Sequence, residues 1–95
     1  MQQTVEWSTR PVSLAEQKEI FGFTSPNTFK AHEKNELIPP EFPVGPNRKA
    51  RHGADLKEVV DARAAGATDE QVRTIVRRQK TDRAKWLEEL MGGAA

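Results

Sequence analysis

The chain has 95 residues, with 15 Lys and Arg against 14 Asp and Glu, and its net charge of +1 excludes a polycation. This length allows one compact domain and makes an active site for two substrates improbable. The sequence contains no cysteine, which excludes disulfides and cysteine-bound zinc, and no segment approaches the roughly 20 apolar residues of a membrane span. We therefore expect a cytoplasmic protein that is not an enzyme, has no cofactor or metal, and does not bind membranes.

The first twelve residues show no periodic pattern. Pro11 would interrupt a helix there, so residues 1–12 are predicted to form a flexible N-terminal arm. Trp7 is a large apolar side chain in this arm. We favour packing of Trp7 against the domain, and the alternative is that it binds a partner.

A short helix is predicted to begin after Ser13. This serine is a good N-cap, and Glu16 stands three residues later, as in a capping box. Gly22 is expected to end the helix. The apolar residues expected in its core-facing side are Leu14, Ile20 and Phe21.

A second helix is predicted from Pro26 to Glu36. Ser25 is its expected N-cap, and proline loses no needed hydrogen bond at the first helical position. Two short helices joined by a glycine-containing turn are typical of a helix-turn-helix, but also of helical hairpins in ordinary bundles. If Phe29 points into the core, four positions project outward on the other side. They are Asn27, Lys30, Ala31 and Lys34.

A short β-hairpin is predicted after the second helix. Pro39 and Pro40 stop that helix, and the segment 42–46 suggests a strand that leads into a turn. Residues 47–52 would form the tip and the returning strand, giving a two-stranded ribbon of the kind called a wing. Its cations, which have no acid among them, either bind DNA phosphates and the minor groove or lie on a solvated turn. They are Arg48, Lys49 and Arg51.

Two further helices complete the chain. Asp55 is expected to cap a third helix, which ends at Gly66. Thr68 and Gln71 form a capping box that opens a long helix reaching Met91. The apolar residues expected to pack on the domain are Leu56, Val59, Val60, Ala62, Val72, Ile75 and Val76.

The long helix carries two features beyond its core-facing side. A basic run is either a second surface for the DNA backbone or an ordinary solvated helix face. It comprises Arg73, Arg77, Arg78, Lys80 and Arg83. A second apolar patch near the end is predicted to contact another copy of the chain or to fold back on the domain. It is formed by Trp86, Leu87 and Leu90, with Met91 beside them.

The other polar candidates have simpler interpretations. His32 and His52 lack a partner at metal-ligand spacing, so neither a metal site nor acid–base catalysis is expected. Glu33 and Glu36 are interpreted as surface ion-pair residues with the lysines nearby on the same helix. No phosphate-binding loop or nucleophile motif is present in the sequence.

Several short motifs occur in an informative order and spacing. They are Leu14-Ala15-Glu16, Phe21-Gly22-Phe23-Thr24-Ser25, Thr28-Phe29-Lys30, Glu36-Leu37-Ile38-Pro39-Pro40, Val44-Gly45-Pro46-Asn47-Arg48, and the connection from Ala65 to Arg73. In this arrangement residues 13–78 resemble the MerR-like winged-helix group, specifically AlpA-type phage regulators and excisionases, also called recombination directionality factors. The sequence departs from that group at His32 and Glu33, which stand where apolar residues are usual.

The resemblance implies a mainly α winged helix-turn-helix, with a short two-stranded β wing and a long C-terminal helix. The DNA-binding domain would span residues 13–78, and residues 79–95 would be a helical extension and tail used for oligomerisation. Asn27 and Lys30 are expected on bases, with Thr28 and Lys34 on phosphates. The full expected DNA-binding set is Ser25, Asn27, Thr28, Lys30, Ala31, Lys34, Asn47, Arg48, Lys49, Arg51 and His52.

The expected function is that of an excisionase of a mobile element in a bacterial or phage-infected cell, associated with the nucleoid. Such a protein binds repeated double-stranded sites cooperatively as a homo-oligomer, bends the DNA and directs a site-specific integrase. Three alternatives remain open. They are an AlpA-like transcriptional regulator of integrase or transfer genes, the DNA-recognition subunit of a phage packaging complex, and a helical protein-binding adaptor.

Overall fold

The computed structural model describes residues 6–23 and 25–92, and these residues form a mainly helical fold with a small antiparallel sheet. A 3-10 helix (Glu6–Thr9) comes first. The elements that follow are β1 (Pro11–Val12), α1 (Leu14–Phe21), α2 (Pro26–Lys34), β2 (Glu41–Gly45), β3 (Arg48–His52), α3 (Gly53–Ala64) and α4 (Asp69–Leu90). The helical class and the hairpin agree with the sequence prediction. No described helix has both the length and the apolar character needed to cross a bilayer.

The sheet has three strands in the order β1-β3-β2, one more than predicted. Residues 6–12, which the sequence assigned to an arm, instead form the 3-10 helix and β1. Val12 is fully buried and lies opposite Arg51 of β3, so this segment belongs to the domain. Residues 1–5 of the predicted arm lie outside the described residues.

The β2–β3 hairpin is a regular ladder that becomes irregular near its tip. Proline has no N–H to donate to a neighbouring strand. Pro43 is accommodated in β2 because β2 is an edge strand of the sheet. The register shifts between Pro43 and Gly45, and Asn47 at the turn has a φ of 60°. Asparagine tolerates this left-handed conformation better than most residues do.

Local capping signals place the helices, with some differences. The Ser13 side chain accepts a hydrogen bond from the Glu16 N–H at 3.4 Å, and Gly22 ends α1 with a φ of 73°. The Glu16 carboxylate also binds Arg10, with Nη2 2.6 Å from Oε2. Leu14, expected in the core, is 47% exposed.

The start of α3 is set by packing and not by the predicted cap. The helix begins at Gly53, and Asp55 lies inside it, buried. The Gly53 N–H donates to the carbonyl oxygen of Arg10 at 3.0 Å, and a Cβ on Gly53 would come within 1.7 Å of the Trp7 carbonyl oxygen. Trp7 itself is half-buried, as expected from the packing interpretation.

The core lies between α3, α4 and the segment after α2. Its apolar cluster is formed by Leu37, Val59, Val72 and Val76, with Phe21, Ala67 and Ile75 packed against it. The predicted capping box of α4 is present, since the side chains and backbone N–H groups of Thr68 and Gln71 bond reciprocally. Helix α4 therefore starts as predicted, with its first apolar face on the domain.

Candidate nucleic-acid interface

The exposed side of α2 is the one predicted from the sequence. Phe29 points inward and is 3% exposed. The four residues expected to project outward are all exposed, as is Thr28; they are Asn27, Lys30, Ala31 and Lys34. Ser25 caps the helix, because its side-chain oxygen accepts a hydrogen bond from the Asn27 N–H at 3.2 Å. Ser25 therefore stabilises the start of α2. Thr24, just before it, lies outside the described residues.

A groove of about 1100 Å³ lies between α1, α2 and the β2–β3 hairpin, and we call it the cationic groove. Helix α2 lines it with residues at helical spacing, namely Pro26, Phe29, Lys30 and Glu33. The hairpin contributes Asn47, Arg48 and Lys49 among others, and α1 contributes Lys18. The groove thus brings Lys30 together with the predicted cations of the hairpin. It is not lined by Asn27, Thr28, Ala31 or Lys34, which lie on the outer side of α2.

Lys18 was missed by the sequence analysis. It is half-buried on α1 and lines the same groove as Lys30. Which way Lys18 faces depends on the packing of α1, which helical periodicity alone left undefined.

Two hairpin cations are accessible. Arg48 is exposed, and the Lys49 side chain is 66% exposed, with its Nζ 3.3 Å from a Glu41 carboxylate oxygen. A surface pair of this kind is worth little and exchanges readily for another anion. Both side chains are therefore available to a phosphate.

Arg51 requires a correction. It was expected to contact DNA, but it is 3% exposed. Its guanidinium donates to the Pro39 carbonyl oxygen at 2.6 Å, to Gln17 Oε1 at 2.6 Å and to Glu33 Oε2 at 2.5 Å. Because β3 is the central strand, its last residues are covered by the helices, so we remove Arg51 from the set of DNA contacts.

His52 also requires a correction. Its ring stacks on Phe42, with centroids 4.3 Å apart, and lies 5.9 Å from the ring of Trp86. Burial, followed by the charge of Arg83, lowers the pKa of His52 below its ordinary value, while Asp55 opposes this. This half-buried ring packs between β2 and α4 and, with its lowered pKa, offers no positive charge to a phosphate at neutral pH, so we remove His52 from the predicted phosphate contacts.

His32 is a packing residue as well. Its ring stacks on Phe23 at 4.6 Å, and its Nδ1 lies 2.9 Å from the Thr28 carbonyl oxygen. Across residues 6–23 and 25–92, no group of three His, Asp or Glu side chains is placed to hold a metal ion.

The basic run of α4 is engaged within the molecule. Arg77 and Lys80 bind Glu36 at 3.1 and 3.3 Å, and these two contacts lower the pKa of the Glu36 carboxyl. The remaining pairs are Arg73 with Glu70, Arg78 with Glu58 and Asp82, and Arg83 with Asp55. Most of these are surface pairs like that of Lys49, so the choice between a second DNA surface and a solvated helix face stays a prediction. The ion pairs do correct the expectation for Glu33 and Glu36, which bind Arg51 and the α4 cations instead of the lysines of α2.

The second apolar patch of α4 is exposed, and we call it the distal patch. Within the described chain, no residue of α4 beyond Gln79 is buried. Exposure is 45% for Trp86, 59% for Leu87, 67% for Leu90 and 76% for Met91. The Arg83 guanidinium lies 5.2 Å from the Trp86 ring centroid and covers part of it.

Comparison with known proteins gives no relative for this arrangement: no family model, no curated protein and no solved structure matches the chain.

Proposed function

We propose that this chain is a sequence-specific double-stranded DNA-binding protein, without enzymatic activity, of the winged helix-turn-helix type. In this proposal α2 enters the major groove, and the β2–β3 hairpin acts as the wing on the flanking backbone. The observation that carries the proposal is the cationic groove, in which exposed or half-buried cations from three elements line one concave surface. They are Lys18, Lys30, Arg48 and Lys49.

The shape of α2 supports this role. An α-helix with its side chains is about 10–12 Å in diameter, so the nine-residue α2 can enter a major groove that is ~12 Å wide. Its outer face carries short polar side chains and lysines, which are suited to base edges and phosphates. Phe29 anchors the opposite face in the core, so the outer face has one orientation.

The distribution of charge supports it too. The whole chain has a net charge of +1, so attraction to DNA must be local. Arg48 and Lys49 of the hairpin are exposed, and Arg48 has no ion pair within the described residues, whereas five α4 cations are each paired with an acid; they are Arg73, Arg77, Arg78, Lys80 and Arg83. Three acids line the groove, and each is in an ion pair that offsets its repulsion of phosphates: Glu16 with Arg10, Glu33 with Arg51, and Glu41 with Lys49.

Among DNA-binding roles, we propose an excisionase. The sequence resemblance supports this role, and so does the distal patch, which is suited to contact with a neighbouring copy. Copies bound side by side on repeated sites would gain occupancy from such contacts without a larger DNA interface. Bending of the DNA by adjacent copies would then direct a site-specific integrase towards excision.

Binding is tested by selecting duplexes from a random pool and measuring their affinity at several salt concentrations. We expect log K to fall linearly with log salt, with a slope of about −3.6 for four phosphate contacts. Absent or salt-insensitive affinity would contradict the proposal and favour the protein-binding adaptor.

The excisionase role is tested by footprinting on an attachment region. We expect adjacent protected sites and stimulation of excision by an integrase. One isolated promoter site without an effect on excision would indicate the transcriptional regulator, and a closed ring in solution would indicate the packaging subunit.

A further inference from the structure

The guanidinium of Arg51 connects the elements that surround the cationic groove. Arg51 belongs to β3, and its Nη1 donates to Gln17 of α1 at 2.6 Å. Its Nη2 donates to Glu33 of α2 at 2.5 Å, and its Nε donates to the Pro39 carbonyl oxygen just before β2 at 2.6 Å. One side chain therefore holds α1, α2 and the base of the hairpin together.

A second set of contacts surrounds this centre. The buried Gln17 amide donates to the Val12 carbonyl oxygen of β1 at 2.8 Å. A Glu41 carboxylate oxygen of β2 lies 3.6 Å from Arg51 Nη2, and the Arg51 guanidinium lies 5.5 Å from the ring of Phe29 on α2. Every strand of the sheet and both helices of the predicted helix-turn-helix are thus joined to Arg51.

Burial of a charge is costly unless the charge is paired and hydrogen-bonded, and Arg51 meets both conditions at once. The planar guanidinium offers donors in fixed directions, so its three acceptors must also keep fixed positions. A lysine ammonium is a compact charge and lacks this fork. The network therefore sets the orientation of α2 relative to the hairpin.

We propose that Arg51 is a positioning residue for DNA recognition, which holds α2 and the hairpin in the one orientation that lets Lys30 and Lys49 contact the same duplex together. This inference rests on the proposed DNA binding. Two contacts on one rigid surface strengthen each other, because the first makes the second intramolecular. When the connection between α2 and the hairpin loosens, the hairpin contact adds much less to the affinity for the duplex.

The test compares the effect of Lys49→Ala on duplex affinity in several backgrounds. In the wild type we expect a loss of about eightfold near 0.1 M salt, as for one phosphate contact. In the Arg51→Lys and Glu33→Ala backgrounds we expect Lys49→Ala to lower the duplex affinity by about twofold or less. Glu33→Gln removes the same charge but keeps an oxygen acceptor for Arg51, so the cost of Lys49→Ala should return towards the wild-type value.

Arg83→Met is the matched control. It breaks a partly buried ion pair with Asp55, neither residue of which lines the groove or binds Arg51, so it destabilises the fold while leaving the contacts of Arg51 in place. In this background the cost of Lys49→Ala should remain about eightfold. If Arg51→Lys does not fold, as judged by circular dichroism, the comparison of Glu33→Ala with Glu33→Gln decides.

The possible results separate this inference from the function on which it rests. An unchanged cost of Lys49→Ala in both Arg51→Lys and Glu33→Ala overturns the positioning role and leaves DNA binding intact. If the loss of affinity caused by Lys49→Ala becomes equally small in Arg83→Met, the positioning role is also overturned, because the change would then follow the stability of the fold alone. A wild-type chain that binds no duplex removes the proposed function itself.

Discussion

Basic residues that look alike in the sequence have different roles in this molecule. Lys30 and Lys49 are exposed along the cationic groove, whereas Arg51 is buried in a network and Arg77 is paired with Glu36. Helical periodicity predicted the exposure of Lys30, because Phe29 fixed the inward face of α2. It could not predict the burial of Arg51, since that depends on helices that are distant in the sequence.

The position of Lys30 leads to a prediction about specificity. Lys30→Ala should lower the ratio of affinities for a selected and an unrelated duplex by a factor of about 5–150, which corresponds to the ~1–3 kcal/mol of one good contact with a base edge. Lys34→Ala, on the outer side of the same helix, should leave this ratio unchanged, because Lys34 is predicted to contact a phosphate, which is the same in every duplex. Competition binding with both duplexes measures the ratio, and equal ratios for the two variants would refute the assignment.

The packing of His52 leads to a prediction about pH. The pKa of His52 is lowered in the folded state, mainly by burial, so the unfolded chain binds this proton more readily. The neutral His52 ring therefore contributes stability that is fully present above the ordinary pKa of 6.5 and is lost as the pH falls through the folded pKa. His52→Phe keeps a ring against Phe42 and should remove this part of the dependence.

Urea unfolding between about pH 7.5 and 5.5 measures the His52 effect, in a range above the titration of ordinary carboxylates. We expect the wild type to lose stability towards the acidic end and His52→Phe to lose less. The same pH dependence in both proteins would show that His52 is not its source.

At the scale of elements, local chemistry was predictable and long-range pairing was not. Ser13, Ser25 and Thr68 cap helices as expected, because a cap bonds to residues two or three positions away. β1 was missed, because a strand of two residues has no period and exists only through its pairing with β3. The cap at Asp55 was wrong for a related reason, since the N-terminal segment packs where α3 begins.

That packing makes Gly53 a sensitive position. Gly53→Ala places a methyl group against the carbonyl oxygens of Trp7 and Arg10 and should destabilise the fold by about 3 kcal/mol. Gly45→Ala is the control, because nothing lies within 4 Å of its Cβ position. Chemical denaturation of both variants provides the comparison. Equal stabilities would mean that the N-terminal segment does not pack on α3.

At the scale of the whole molecule, α4 extends beyond what the core needs. Its 22 residues span about 33 Å, and the distal patch lies on the part past the last buried residue, Gln79. The broken apolar stripe in the sequence predicted this division into two parts. The proposed contact of the second part involves another copy of the chain, which the periodicity of one sequence does not describe.

The distal patch leads to a prediction about assembly. Leu87→Ala combined with Leu90→Ala should leave the fold and the affinity for a single site unchanged, because both side chains are exposed. The wild type should self-associate in sedimentation experiments and fill adjacent repeated sites cooperatively, and the double variant should do neither. Cooperative filling by the double variant would place the contact between copies elsewhere.

The central claim is that α2 and the β2–β3 hairpin form one surface for a DNA duplex. The most direct test is an NMR titration of the isotope-labelled chain with a selected duplex, following the backbone amide signals. We expect the signals of Lys30, Asn47 and Lys49 to move together at one binding affinity, while those of Lys57 and Asp61 on α3 stay in place. Movement confined to α3 or α4, with α2 and the hairpin unchanged, would contradict the claim.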